Sequence, residues 1–230
     1  MIRKSLIVNR KSIPCAYLEG AANFYGYDFV VNKHTLIPRP ETEQLVERTV
    51  ELTKTFLPDN LRILDVGTGS GVIAITLKKL LPNATVEATD ISLEALETAK
   101  TNAKNNGVNI IFHSGNLVEP VEGKFDLIIA NLPYVPAARW RFLESQVRDF
   151  EPKNAIVAGR DGLKWIKLFC DQVGRHLNQP SIVALEIDDS HGPRVLKLLQ
   201  TALPNHKVTV EQDLAHRNRF AIAKPNDGKS

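Results

Sequence analysis

Ile63-Leu64-Asp65-Val66-Gly67-Thr68-Gly69-Ser70-Gly71-Val72-Ile73-Ala74 reads as an apolar strand, a turn with glycine at every second position, and the start of a helix. Glycines at these positions let the backbone take positive φ and approach a ligand closely, while the helix behind them offers unpaired N–H groups. A tight strand-to-helix turn in any α/β protein has the same local needs, so the motif alone does not assign a ligand. Its spacing does separate cofactors. A dinucleotide fingerprint, Gly-x-Gly-x-x-Gly, needs its third glycine at position 72, where Val72 stands, and no Gly-Lys-Ser/Thr follows as a phosphate-cradling loop would require.

Outward from this turn, short β-rich runs alternate with helical patterns. Segments 62–66, 85–89, 109–113, 125–130 and 181–187 are expected as strands, and 72–81, 92–106, 162–177 and 193–202 as helices. Parallel strands need crossover connections, so this alternation predicts an α/β fold with a mostly parallel sheet and helices on both faces. At the end, 207–211 and 219–223 flank a polar stretch and predict an antiparallel hairpin. In front, aromatic and β-branched residues around Gly26 predict a small hairpin over 24–31. Pro38 and Pro40 then make a rigid turn before a helix at 41–56. The expected division is an N-terminal hairpin and linker at 1–40, the main domain at 41–224 and a polar, frayed tail at 225–230.

Composition sets outer limits. With 43% apolar and 24% charged residues and no repetitive tract, the chain belongs with globular proteins rather than disordered ones. A formal charge of +3 without a basic stripe neither requires nor excludes a nucleic-acid partner. Cys15 and Cys170 have no neighbours at metal-ligand spacing and read as buried free thiols, so no metal is expected. No signal peptide or membrane-length apolar run is visible, and the expected compartment is the cytoplasm. None of the six histidines has a placed partner that would make it a general base, and Trp140 is the better of the two tryptophans for the rim of a crevice.

Three further positions complete a site. The second strand ends at Asp90, which in a doubly wound sheet lies beside the glycine turn and can accept both hydroxyls of a ribose, or else cap the helix after Ser92. After the third strand, Asn116 and Leu117 would edge an adenine pocket, though Asn116 equally suits a loop turn. The fourth strand runs into Asn131-Leu132-Pro133-Tyr134 at the same crevice. An Asx-type turn would explain Asn and Pro there, but not their coincidence with the cofactor pattern.

Asn131 suggests a chemistry. An amide nitrogen is a poor nucleophile because its lone pair is delocalised into the carbonyl. Two acceptors holding its N–H bonds can aim that lone pair and accept developing positive charge. The Asn131 side-chain oxygen and the Leu132 carbonyl are those acceptors, with Pro133 stiffening the turn and Tyr134 offering a flat wall.

These residues resemble the PrmC/HemK family of protein-glutamine N5-methyltransferases, which methylate the Gln of the Gly-Gly-Gln motif of peptide-chain release factors. The resemblance runs from about residue 17 to 223. It is carried by Ala16-Tyr17-Leu18-Glu19-Gly20 with Phe24-Tyr25-Gly26, by Leu36-Ile37-Pro38-Arg39-Pro40-Glu41-Thr42-Glu43, by the glycine turn, by Asn-x-Pro-Tyr, and by Phe150-Glu151-Pro152 with Gly159-Arg160-Asp161-Gly162-Leu163. Segment 37–43 is the most specific, and is expected to wall the substrate pocket.

The resemblance implies a Rossmann-like class I methyltransferase fold with a seven-stranded sheet, S-adenosyl-L-methionine as cofactor, and a release factor as protein substrate. It further implies cofactor binding by Gly67, Thr68, Gly69, Ser70, Gly71, Asp90 and Leu117, with Asn131, Leu132, Pro133 and Tyr134 holding the glutamine amide; Asn116 and Asn131 complete the expected cofactor-binding set. Leu132 departs from the family's usual proline; its carbonyl remains, and function is expected to survive. About sixteen residues precede Tyr17 where bacterial members typically carry a helical domain, so weaker or altered docking of the release factor is expected. Asn-Leu-Pro-Tyr also resembles the motif of ribosomal RNA adenine dimethylases, making nucleic-acid methylation the alternative function.

Overall fold

The computed structural model describes residues 13–226. In chain order these form α1 (Cys15–Glu19), β1 (Ala21–Phe24), β2 (Tyr27–Val30), α2 (Pro40–Phe56), β3 (Arg62–Val66), α3 (Val72–Leu80), β4 (Thr85–Asp90), α4 (Leu93–Asn105), β5 (Ile111–Ser114) and β6 (Phe125–Ala130). The second half holds α5 (Ser145–Phe150), α6 (Lys164–Val173), β7 (Leu177–Glu186), α7 (Gly192–Ala202), β8 (His206–Gln212) and β9 (Asn218–Pro225).

Seven strands make one sheet in the order β5-β4-β3-β6-β7-β9-β8, parallel except where β9 runs antiparallel to β7 and β8; β1 and β2 form a separate antiparallel hairpin. Both faces of the sheet are covered, so its strands read as near-continuous apolar runs. Alternate residues divide between two cores. Ile63, Val86, Leu127, Ile129 and Ala184 face α2 and α3, whereas Leu64, Val66, Ile128, Val183 and Leu185 face α6 and α7. The strand order reverses between β3 and β6, and the carboxyl ends of β3, β4 and β6 meet on one edge there. A doubly wound sheet binds ligands at such a point.

The sheet, its antiparallel ending and the front hairpin agree with expectation; several boundaries do not. β7 starts at Leu177 rather than 181, because buried Leu177 pairs with Phe125 across an irregularity in the register. That start shortens the preceding helix, which ends at Val173 in a 3-10 turn. The short helices α1 and α5 were not anticipated; no residue of either is buried, so neither carries the apolar periodicity that marks a helix. Cys170 is buried as expected, but Cys15 is exposed. β9 takes in Pro225, the first residue of the expected tail, and 227–230 lie outside the described residues.

Candidate active site

The glycine turn is held from both sides. Gly67 N–H and Thr68 N–H both donate to the Thr89 carbonyl at 2.9 Å, tying the turn to the end of β4. Beneath it, the buried Asp65 carboxylate accepts the Thr68 hydroxyl at 2.6 Å and the Ala74 N–H at 3.1 Å through Oδ2. Burial, chiefly, pushes the Asp65 carboxyl up to about 7, and its Oδ1 meets no protein partner among the described residues. Asn102 of α4 knits the front hairpin to the same turn. Its amide exchanges hydrogen bonds with the backbone of Val30 at 2.7 and 2.9 Å and donates to the Ser70 carbonyl at 2.8 Å.

Asp90 closes β4 beside the turn. Its Oδ2 accepts Gly69 N–H at 2.8 Å and its Oδ1 accepts Ser92 N–H at 2.9 Å. Burial raises its pKa, opposed by these backbone donors. The cap of α4 is Ser92, whose hydroxyl accepts Ala95 N–H, so the capping alternative for Asp90 falls away. A carboxylate has about four lone-pair sites, and two backbone donors leave acceptor capacity for hydroxyls.

A cleft of about 300 Å³ opens over this edge. Gly67, Thr68, Gly69, Ser70, Asp90, Asn116, Leu117, Asn131, Leu132 and Pro133 all line it, together with 34–39, Thr42 and Trp165. Ten of the twelve expected site positions are thus gathered in one cavity; of the other two, Gly71 stands just behind as the N-cap of α3 with φ of 85°. A methyl group on Gly71 would meet Ile75 and Ala99 at 3.0 and 3.1 Å, so a side chain there is crowded as well as strained by φ. Gly69, at φ 57°, has open space where a side chain would sit. This bare backbone faces a cavity with an acidic end at Asp90 and a largely apolar lining. The cradle fits S-adenosyl-methionine, whose nucleoside needs hydroxyl acceptors and an apolar wall.

Some expected details differ. Asn116 lines the cleft, but its amide nitrogen donates to Glu119 at 3.1 Å, as a loop-turn residue would. Trp165, rather than Trp140, reaches the cleft; Trp140 lies under the Lys153 ammonium instead. Tyr134 does not line the cleft. Its hydroxyl donates to Glu186 at 3.2 Å, and burial and the charge of Glu186 together hold its pKa well above the usual range. Gly162, at φ 74°, lies so close to the Tyr134 carbonyl that any side chain would strike it.

Three residues that tie the site together had no individual role in the sequence reading, although two of them, Thr42 and Glu151, stand in its motifs. Thr42 accepts the Asn131 amide nitrogen at 3.1 Å and donates to Glu186 at 2.6 Å. Glu151 is buried and pairs with Arg39, bringing loop 150–152 against segment 37–40. The available signal for Glu186 was its place: like Asp90 and Asn131, it is a polar residue at the carboxyl end of an apolar strand.

The methyltransferase small domain family matches residues 44–148. The release factor glutamine methyltransferase of Enterococcus faecalis is 42% identical over 213 residues, covering 92% of this chain and 76% of the relative. That of Bacillus subtilis is 36% identical over 226 residues, covering 96% and 78%. Among solved structures, ribosomal protein L11 methylase from Lactobacillus delbrueckii subsp. bulgaricus superposes with a TM-score of 0.60 at 27% identity, covering 82% of this chain and 81% of that one. A Thermus thermophilus 16S rRNA N2 G1207 methyltransferase, solved with AdoMet and guanosine, superposes with a TM-score of 0.62 at 15% identity, covering 90% and 50%, and shares the fold alone. No helix among the described residues is long and apolar enough to cross a membrane.

Proposed function

The chain belongs to the release factor glutamine methyltransferase family, and on that premise we propose that it methylates the N5 nitrogen of the Gln in a release factor's Gly-Gly-Gln motif. It is an S-adenosyl-methionine-dependent methyltransferase. The observation that carries the finer reading is that Asn131 and Leu132 line the same cleft as the glycine turn and Asp90. Bound cofactor supplies a methyl group on a sulfonium, an electrophile that needs no metal. The chain's residues then have three tasks. Asp90 and the turn 67–71 hold the nucleoside end, and the wall 36–39 narrows the cleft around the entering side chain. Asn131 Oδ1 and the Leu132 carbonyl accept the two N–H bonds of the substrate amide, which orients its nitrogen toward the methyl group and stabilises the positive charge that develops there.

An amide with two N–H donors matches a pair of acceptors held by one rigid turn, and the same pair would also suit an exocyclic adenine amine. Transfer of labelled methyl from S-adenosyl-methionine to purified release factor, ribosomal protein and bulk RNA separates these. Label on the release factor, lost when its motif glutamine is replaced, is the expected result; label on RNA alone would overturn the reading. Release factors work at the ribosome, which puts the proposed reaction in the cytoplasm.

A further inference from the structure

Glu186 ends β7 in the interior, 2% exposed, and two hydroxyls converge on it: Thr42 on Oε2 at 2.6 Å and Tyr134 on Oε1 at 3.2 Å. Burial raises its pKa, and the Thr42 and Tyr134 hydroxyl donors together with the nearby Arg219 guanidinium charge oppose that rise and favour the ionised form. Two O–H donors and a cation are the surroundings of an ionised carboxylate, a group that only accepts hydrogen bonds.

This fixes the polarity of everything attached to it. Thr42 has one hydroxyl proton, and Glu186 takes it. Toward Asn131, 3.1 Å away, Thr42 can therefore present only a lone pair. Asn131 must answer with its NH2 group, which leaves the amide oxygen as the end free for substrate. Were Thr42 free to donate, the Asn131 amide could turn over and offer N–H groups to a substrate nitrogen that itself carries N–H groups. Donor would then face donor, and neither would be satisfied.

We propose that Glu186 and Thr42 are positioning residues for methyl transfer, the carboxylate acting through the Thr42 hydroxyl to hold the Asn131 amide with its oxygen toward the substrate. The proposal rests on the reading that Asn131 holds the substrate amide. It connects three segments far apart in the chain, the start of α2, the end of β6 and the end of β7, and gives the specific 37–43 segment a role in the chemistry beyond walling the pocket.

The test compares Thr42→Val, which keeps the shape and removes the hydroxyl, with Thr42→Ser, which keeps the hydroxyl. Glu186→Gln is made alone and on the Thr42→Val background. Single-turnover rate, apparent KM for release factor and calorimetric cofactor affinity are measured for each. The side-chain NH2 resonances of Asn131 are followed by NMR in 15N-labelled protein, identified by their loss in Asn131→Ala.

Thr42→Val is expected to slow transfer by about tenfold or more, the worth of one hydrogen bond that holds a reacting partner, with KM and cofactor affinity within about twofold. It should also shift the Asn131 resonances and speed their hydrogen exchange. Thr42→Ser should restore both rate and resonances, and Glu186→Gln should slow the parent but add little to Thr42→Val. A Thr42→Val enzyme with the parental rate, unmoved Asn131 resonances, or a deficit that Thr42→Ser shares in full would overturn the proposal. The NMR arm needs no substrate, so it stands even if the unaltered enzyme labels RNA instead of the release factor and the functional reading falls.

Discussion

Arg39 and Glu151, 112 positions apart in the chain, form an ion pair of 2.5 Å at the cleft. The Glu151 side chain is 1% exposed and that of Arg39 32%, so the two members are unequal. Glu151 also accepts the Ile37 N–H at 3.4 Å, and the pair thereby fastens the proline-rich turn to the loop after α5.

That inequality predicts an asymmetric response to mutation. Arg39→Ala leaves a buried carboxylate with a single long backbone contact and should destabilise the fold by about 1–3 kcal/mol, below the full cost for a buried pair because Arg39 is part-exposed. Glu151→Gln removes the charge and keeps an acceptor, and should cost less. Urea unfolding of both variants checks the order; equal losses would mean that the pair is not held by the buried carboxylate.

Asp90 is expected to govern cofactor affinity. Asp90→Ala removes a charged acceptor worth roughly 1.5–3 kcal/mol per hydrogen bond, and should weaken S-adenosyl-methionine binding at least tenfold by calorimetry. Because the same carboxylate also accepts Gly69 N–H and Ser92 N–H, Asp90→Asn, which keeps one oxygen, should lose less. Unchanged affinity in Asp90→Ala would place the ribose elsewhere.

Asp65 makes stability depend on pH. Its carboxyl titrates near 7 in the fold, chiefly because it is buried, against about 3.9 in an unfolded chain. Between those values the folded protein keeps a proton that the unfolded chain releases. The contribution is therefore complete below about pH 4 and is lost as pH rises through 7. Asp65→Asn removes this titration, so its unfolding free energy from urea denaturation should gain on the parent's between pH 5 and pH 8.5, by on the order of 1–4 kcal/mol. Parallel pH profiles for the two proteins would contradict the assignment.

What could be read beforehand divides along physical lines. β3 and β6 were legible to the residue because a strand buried on both faces is a short, mostly apolar run, here Arg62–Val66 and Phe125–Ala130 with one internal aspartate each. The turn 67–71, Asp90 and Asn131 were legible because they stand where such strands end, and strand ends in a parallel sheet share an edge. The roles of Thr42, Glu151 and Glu186 were not, since each bonds a partner more than 85 positions away: Thr42 and Glu151 stand in motifs and Glu186 at a strand end, but no local pattern names their partners. The bond of the Tyr134 hydroxyl to Glu186 was hidden for the same reason, since its two members are 52 positions apart.

The central claim is that Asn131 holds the substrate amide while the glycine turn holds the cofactor. Leu132→Pro keeps the carbonyl of that position and should be tolerated, apart from the loss of apolar contact where Leu132 lies against Gly67. The direct measurement is the single-turnover rate of Asn131→Ala on release factor with S-adenosyl-methionine saturating, beside its cofactor affinity. A rate about a hundredfold or more below the parent, with affinity nearly unchanged, is the predicted result for deleting one preorganised acceptor; transfer to glutamine at the parental rate would contradict it.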